Sequence, residues 1–236
     1  MNIRGLVKFS LVDFPGGISC VIFIGYCNFR CPFCHNPHLV LAPETQPELS
    51  QDTVLSFLAE RKGKLDAVVV SGGEPTLRPR LPDFLRKVKE YAFHVKLDTN
   101  GTNPDVVKNL HRERLIDSLG IDFKAPRSKY HILSGRNILH MFENVFETLR
   151  YAVEQKIPLD VRTTVHKALL SFEDLKTMRS ELDAIGVSEW TLQQFNPVDV
   201  LDESLLEKET YSDNELLQMA QQLGKNTRVR GLHKTI

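Results

Sequence analysis

The sequence predicts an α/β fold, six β-then-α units curved into a partial (β/α)6 barrel behind a short N-terminal β extension. Short apolar runs of strand length recur along the chain. Several are rich in valine, isoleucine or phenylalanine and nearly continuous in apolarity, as strands covered on both faces are. Segments with helical spacing lie between them. Successive runs end in polar residues, at the carboxyl edge where barrel active sites gather. Strands alternating with helices imply a parallel sheet with right-handed crossovers.

Taken in order, residues 3–14, closed by Pro15-Gly16-Gly17, read as the β extension leading into the first barrel strand, 20–24. Further strands are expected at 67–71, 94–98, 118–123, 159–165 and 190–195. Helices are expected at 51–61, 81–92, 104–112, 138–155, 172–185 and 213–223, with Ser50 and Ser171 as N-caps and Gly186 as a stop. Residues 37–49 carry three prolines and no clear period, and read as a loop. No interior linker stands out. One domain over 1–236 is expected, with its core at about 17–197 and a C-terminal extension at 198–236.

The 236 residues, 42% hydrophobic and 25% charged, have the composition of an ordinary globular protein. Thirty cations balance thirty anions, which argues against a broad electrostatic grip on nucleic acid or on an anionic membrane. No apolar run approaches the ~20 residues of a membrane span. With no secretory signal and no cysteine-rich framework, a reducing cytoplasm is the expected location.

Three of the four cysteines stand in Cys27-Asn-Phe-Arg-Cys31-Pro-Phe-Cys34-His-Asn, directly after the first barrel strand. Thiolates packed this tightly can reach one compact inorganic centre. Three of them leave one corner of a [4Fe–4S] cubane without a protein ligand, where an electron carrier normally supplies four. An open iron is where a substrate or cofactor binds. Structural zinc is the rival; it normally takes four ligands as two separated pairs, and no second pair exists here. His35 could complete a Cys3His site only through an awkward turn beside Cys34. Cys20, inside the apolar run, reads as a small buried hydrophobe.

The second strand ends in Ser71-Gly72-Gly73-Glu74-Pro75-Thr76. Glycines there let backbone approach a ligand closely, and the carboxylate can accept from an ammonium group. The third ends in Asp98-Thr99-Asn100-Gly101 and the fourth in Asp122-Phe123-Lys124. Each has a plainer reading as a turn, a helix cap or a surface lysine. Their recurrence at consecutive strand ends favours a site. Arg162, Thr164 and His166 share one face of the fifth strand by alternation. An inward arginine there requires a carboxylate or a ligand. Gln194 and Asn196, ending the sixth strand, fit either a ligand contact or turn chemistry, and Trp190 is expected in the core.

These residues resemble the radical S-adenosylmethionine superfamily, through Cys27-x3-Cys31-x2-Cys34 with Phe33 before the last cysteine, and through Gly72-Gly73-Glu74. The remaining pattern is similar to the activating enzymes of glycyl radical proteins. Among those it is most similar to the anaerobic ribonucleoside-triphosphate reductase activating proteins of the longer type, kin of pyruvate formate-lyase activating enzyme. The resemblance covers about residues 17–197. It implies a partial (β/α)6 TIM-like barrel of the radical SAM type holding one [4Fe–4S] cluster, three irons on Cys27, Cys31 and Cys34 and the fourth chelated by S-adenosylmethionine. It further implies Phe33 near the adenine, and Gly73, Glu74 and Asp98 at the cofactor's amino group. Thr99 and Asn100 would lie in the same pocket, Asp122 and Lys124 at the ribose and carboxylate end, and Arg162 at the rim. Gln194-Phe195-Asn196 departs from kin that carry a ribose-contacting histidine there.

By the same resemblance a one-electron reduction cleaves the cofactor, and the adenosyl radical takes hydrogen from the Cα of a glycine in a partner protein. The partners implied are a glycyl radical enzyme and a flavodoxin or ferredoxin type electron donor. The alternatives are a small-molecule radical enzyme, such as 7-carboxy-7-deazaguanine synthase, and a non-enzymatic metal-binding module. No cysteine follows Cys34, so auxiliary clusters are not expected.

Overall fold

The structure, a computed structural model, describes residues 1–232. They pack as two compact units, one of residues 1–28 and 36–120, the other of residues 29–35 and 121 onward. Among the described residues no helix is long and apolar enough to cross a membrane.

In the first unit β1 (Ile3–Ser10) pairs antiparallel with β2 (Ser19–Ile24). β2 pairs in parallel with β3 (Ala67–Gly72), and β3 with β4 (His94–Thr99). Val68, Val69 and Val70 of β3 and Val95 and Leu97 of β4 have no exposure. That explains why β3 reads as an unbroken apolar run, whereas β4 alternates Val95 and Leu97 with His94, Lys96 and Asp98. Between β2 and β3 lie α1 (Pro37–Leu41) and α2 (Gln51–Arg61), after β3 comes α3 (Leu81–Lys89), and after β4 comes α4 (Pro104–Arg112). The division between the units falls within β5 (Ser118–Asp122).

The second unit contains α5 (Tyr130–Leu133), α6 (Met141–Glu154), β6 (Leu159–Val165), α7 (Phe172–Asp183), β7 (Trp190–Gln194), α8 (Asp213–Leu223) and β8 (Thr227–Arg230). β6, β7 and β8 pair in parallel, in chain order. Trp190 is fully buried and its Nε1 donates to Thr163 Oγ1 at 2.9 Å, so the one tryptophan is a core residue with its polar handle satisfied.

Each barrel strand expected from sequence is present, with ends shifted by at most one residue. The differences have local causes. The stretch 37–49, expected as a loop, opens with α1, because Pro37 occupies a first-turn position where its fixed φ suits a helix. α6 starts at Met141 rather than 138, since His140 is left-handed (φ 54°) and cannot lie inside a helix. α3 ends at Lys89, ahead of the left-handed Ala92 (φ 64°). α7 ends at Asp183, and Gly186 (φ 79°) turns the chain so that Val187 N–H donates to Leu182 O at 3.0 Å. The N-terminal strand stops at Ser10, where a turn begins. β8 was not foreseen; Thr-Arg-Val-Arg offers a single apolar residue to a period-two search.

Ser171 and Ser212 each form a reciprocal capping box, with Asp174 and Glu215 respectively. Substituting Ser171→Ala is expected to cost about 1 kcal/mol. It should appear as a lower urea midpoint with an unchanged m-value.

Candidate functional site

In the first unit the site residues lie where β2, β3 and β4 end. Gly73 N–H donates to Ile24 O and Glu74 N–H to Tyr26 O, both at 2.8 Å, so the end of β3 lies flat against the backbone that leads into Cys27. A Cβ on Gly73 would sit 2.1 Å from Tyr26 O, an impossible contact. The glycine pair is therefore required by the chain's own backbone. The Arg78 guanidinium stacks over the Tyr26 ring at 5.1 Å.

Glu74 is fully buried. Its Oε1 accepts from Thr76 N (3.0 Å), Thr76 Oγ1 (2.5 Å) and Thr99 Oγ1 (2.8 Å), and its Oε2 from Asn100 N (2.7 Å). Burial pushes this carboxyl above its ordinary value, and the four donors pull it back in part. Asn100 Nδ2 donates to Asn28 Oδ1 at 2.7 Å and lies 3.9 Å from Cys27 Sγ. Asn28 in turn donates to Thr102 Oγ1 at 2.9 Å. Asp98 is 7% exposed, with Oδ1 3.2 Å from Lys96 Nζ. Of the residues expected in this half, the structure brings Cys27, Glu74, Thr99 and Asn100 into one hydrogen-bonded cluster. Asn28 and Thr102 belong to it and were not foreseen, although Asn28 sits beside a foreseen ligand.

In the second unit the rest of the cysteine loop is pinned at several points. Phe29, 2% exposed, packs against Tyr130 (centroids 6.5 Å), which itself contacts Phe123 and Phe142. Arg30 N–H donates to Ser134 O at 2.7 Å. Gly135 (φ 63°) presses on Arg30 O, and a Cβ there would fall 2.1 Å from that oxygen. Cys34 N–H closes a turn on Cys31 O at 3.0 Å, and Asp202 N–H donates to Pro32 O at 2.9 Å. His35 Nδ1 lies 3.3 Å from Val198 O, with its ring against Phe195. Burial lowers the pKa of His35, and its engagement by Val198 gives it a local structural role.

Asp122 bridges two cations: Lys124 Nζ at 3.1 Å and Arg162 Nε at 3.2 Å. Asp160 supplies Arg162 with a second carboxylate at 3.7 Å. The partner demanded by a buried arginine is thus present. Burial alone would raise the Asp122 carboxyl, but Lys124 and Arg162 outweigh it and hold it well below the usual carboxylate range. Lys124 Nζ lies 5.4 Å over the Phe33 ring. Burial works against its charge, yet Asp122, Cys31 and Cys34 together raise its pKa. Gln194 faces away from Arg162: its Nε2 donates to Tyr211 O at 2.6 Å, on the strand face shared with Trp190 and Leu192. Asn196 is exposed. His166 is buried, accepting from Ala168 N–H and reaching Leu205 O, a structural role.

Cys20 has no exposure and burial pushes its thiol up to about 12, as befits a packed, inert side chain. The other three thiols suit a soft iron centre, and two of them, Cys31 and Cys34, are among the groups that raise the pKa of Lys124. Among the described residues no three histidine, cysteine, aspartate or glutamate side chains are gathered at metal-binding distance. The fit to a cluster therefore lies in the kind and setting of the donors.

In this α/β fold the first unit carries the Gly-Gly-Glu brace at its strand ends, and the second the cation–carboxylate–cation bridge of Asp122. The fold is that of SuiB from Streptococcus suis, solved with its precursor peptide SuiA. The two share a TM-score of 0.70 at 16% identity, over 90% of this chain and 48% of that one. The family profile described as the radical SAM superfamily matches residues 21–176. A Methanocaldococcus jannaschii protein provisionally named a glycyl-radical enzyme activating enzyme is 32% identical over 92% of this chain and 89% of its own. The pyruvate formate-lyase-activating enzyme of Staphylococcus aureus is 29% identical over 59% of this chain and 60% of its own. The chain belongs to the radical SAM superfamily, enzymes whose oxidoreductase chemistry uses S-adenosylmethionine and an iron–sulfur cluster, and within it is like the glycyl-radical-enzyme activases.

Two outcomes are expected from this geometry. Glu74→Ala strands four buried donors and should cost about 3 kcal/mol in denaturant unfolding. Asp122, held below its ordinary value, stabilises the fold above that value and loses the contribution as pH falls through the folded-state one. Arg162→Met removes one of the cations that depress it. The loss of stability with falling pH, from urea midpoints between about pH 6 and about pH 2, should then be smaller and level off at a higher pH than in the parent.

Proposed function

We propose that this chain is an activase that takes a hydrogen atom from a backbone glycine of a partner glycyl radical enzyme, with anaerobic ribonucleoside-triphosphate reductase as the favoured partner. The observation that carries the reading is the cysteine loop, three thiols with three and then two residues between them, Cys27, Cys31 and Cys34. The full-length likeness to the M. jannaschii protein supports the choice of substrate class.

Cys27, Cys31 and Cys34 would hold the cluster. Glu74 orders the strand ends, and the Gly73 backbone, Asp98, Thr99 and Asn100 would receive the methionyl end of the cofactor. Asp122 and Lys124 would meet its ribose and carboxylate end, with Arg162 at the rim and Phe33 near the adenine. When bound, the cluster and S-adenosylmethionine supply a one-electron reductive cleavage and a species that abstracts hydrogen. The protein's part is orientation and exclusion of water. Reducing equivalents would come from a flavodoxin or ferredoxin type donor.

The test is anaerobic reconstitution with iron and sulfide, followed by S-adenosylmethionine and a candidate glycyl partner. A glycyl doublet in the electron paramagnetic resonance spectrum of the partner is expected. Cofactor turnover that ignores every glycyl protein but responds to a small heterocycle would sink the reading. Cys31→Ala should lose cluster iron in metal analysis, and Cys20→Ala should keep it.

A further inference from the structure

Lys96 stands two residues before Asp98 on β4, so both side chains leave the same face of the strand. It is among the largest fully buried side chains of the protein, 2% exposed, an unusual place for a lysine. Its Nζ lies 3.2 Å from Asp98 Oδ1 and donates to the Asp13 carbonyl at 2.8 Å.

That carbonyl is itself fixed. Ser10 Oγ donates to Asp13 Oδ2 at 2.5 Å and accepts from the N–H groups of Val12 and Asp13. The neighbouring Phe14 ring packs on His94 at 4.8 Å. The ammonium is therefore held at one end by the turn after β1, and presents its charge to Asp98 at the other. A lysine that only filled space would be better replaced by methionine, because desolvating a buried pair commonly costs as much as the attraction gives back. A buried carboxylate that must meet a ligand cation, by contrast, needs a counter-charge and a fixed rotamer before the ligand arrives.

We propose that Lys96 is a positioning residue, which through its ion pair aims Asp98 at the ammonium of the methionyl end of the cofactor. The inference rests on the reading above in which Asp98 receives that group.

The test compares two ligands on anaerobically reconstituted enzyme by equilibrium dialysis: S-adenosylmethionine, and 5′-methylthioadenosine, which lacks the amino acid. Lys96→Met is expected to raise Kd for S-adenosylmethionine by about tenfold and leave that for methylthioadenosine unchanged, as loss of one charge-assisted contact predicts. Equal weakening of both ligands would mean general damage and overturn the proposal. Unchanged binding of both by Lys96→Met, alongside loss of S-adenosylmethionine by Asp98→Asn, overturns the positioning role and leaves the cofactor site standing. Full S-adenosylmethionine affinity in Asp98→Asn overturns the reading beneath it and the inference with it. Should Lys96→Met not fold, Lys96→Gln, which keeps a donor for the Asp13 carbonyl without the charge, carries the same comparison.

Discussion

The sealed carboxylate of Glu74 sets the terms for the first unit. A buried carboxylate is tolerated only when its lone pairs are filled, and here filling them fixes two strand ends at once. Thr76 belongs to the chain after β3, and Thr99 and Asn100 to the chain at the end of β4. Once Asn100 is placed, its amide reaches Asn28 and approaches Cys27. Glu74 is thus joined to the first cysteine through Asn100. Gly73 follows the same logic, because the close approach it permits is that of one stretch of backbone to another.

The second unit uses charge where the first uses hydrogen bonds. Asp122 lies between Lys124 and Arg162, and Cys31 and Cys34 add to the charges that raise the pKa of Lys124. Aromatic packing under Phe29 and backbone bonds to Arg30 and Pro32 keep the loop in place while that charge acts on it. Low-potential clusters respond to nearby charge and to solvent access. In the function proposed above, the elements that hold the loop would also be those able to tune its cluster.

Much of this was legible in the sequence, for identifiable reasons. Doubly covered strands such as β2 and β3 betray themselves by continuous apolarity, and Ser171 announces α7 as an N-cap. The need of Arg162 for a carboxylate followed from burial energetics alone. What was hidden is what depends on partners far apart along the chain. β8 exists because β7 offers it an edge, not because Thr-Arg-Val-Arg favours a strand. The left-handed His140 and the helical start at Pro37 are decisions of single backbone torsions. Lys96 gave no signal, since a lysine alternating with Val95 and Leu97 reads as a solvent-facing position until its two partners, Asp13 and Asp98, are seen.

Val198 and Asp202, which hold His35 and Pro32, lie beyond the stretch in which the superfamily's shared pattern is found. The signature is thus conveyed by one part of the polypeptide and given its shape by another. A gene shortened to its recognisable segment would still read as a member of the family while lacking two of the clasps that form its cysteine bend. Sequence drift in that tail can accordingly alter the surroundings of Pro32 and His35 without touching a single motif residue.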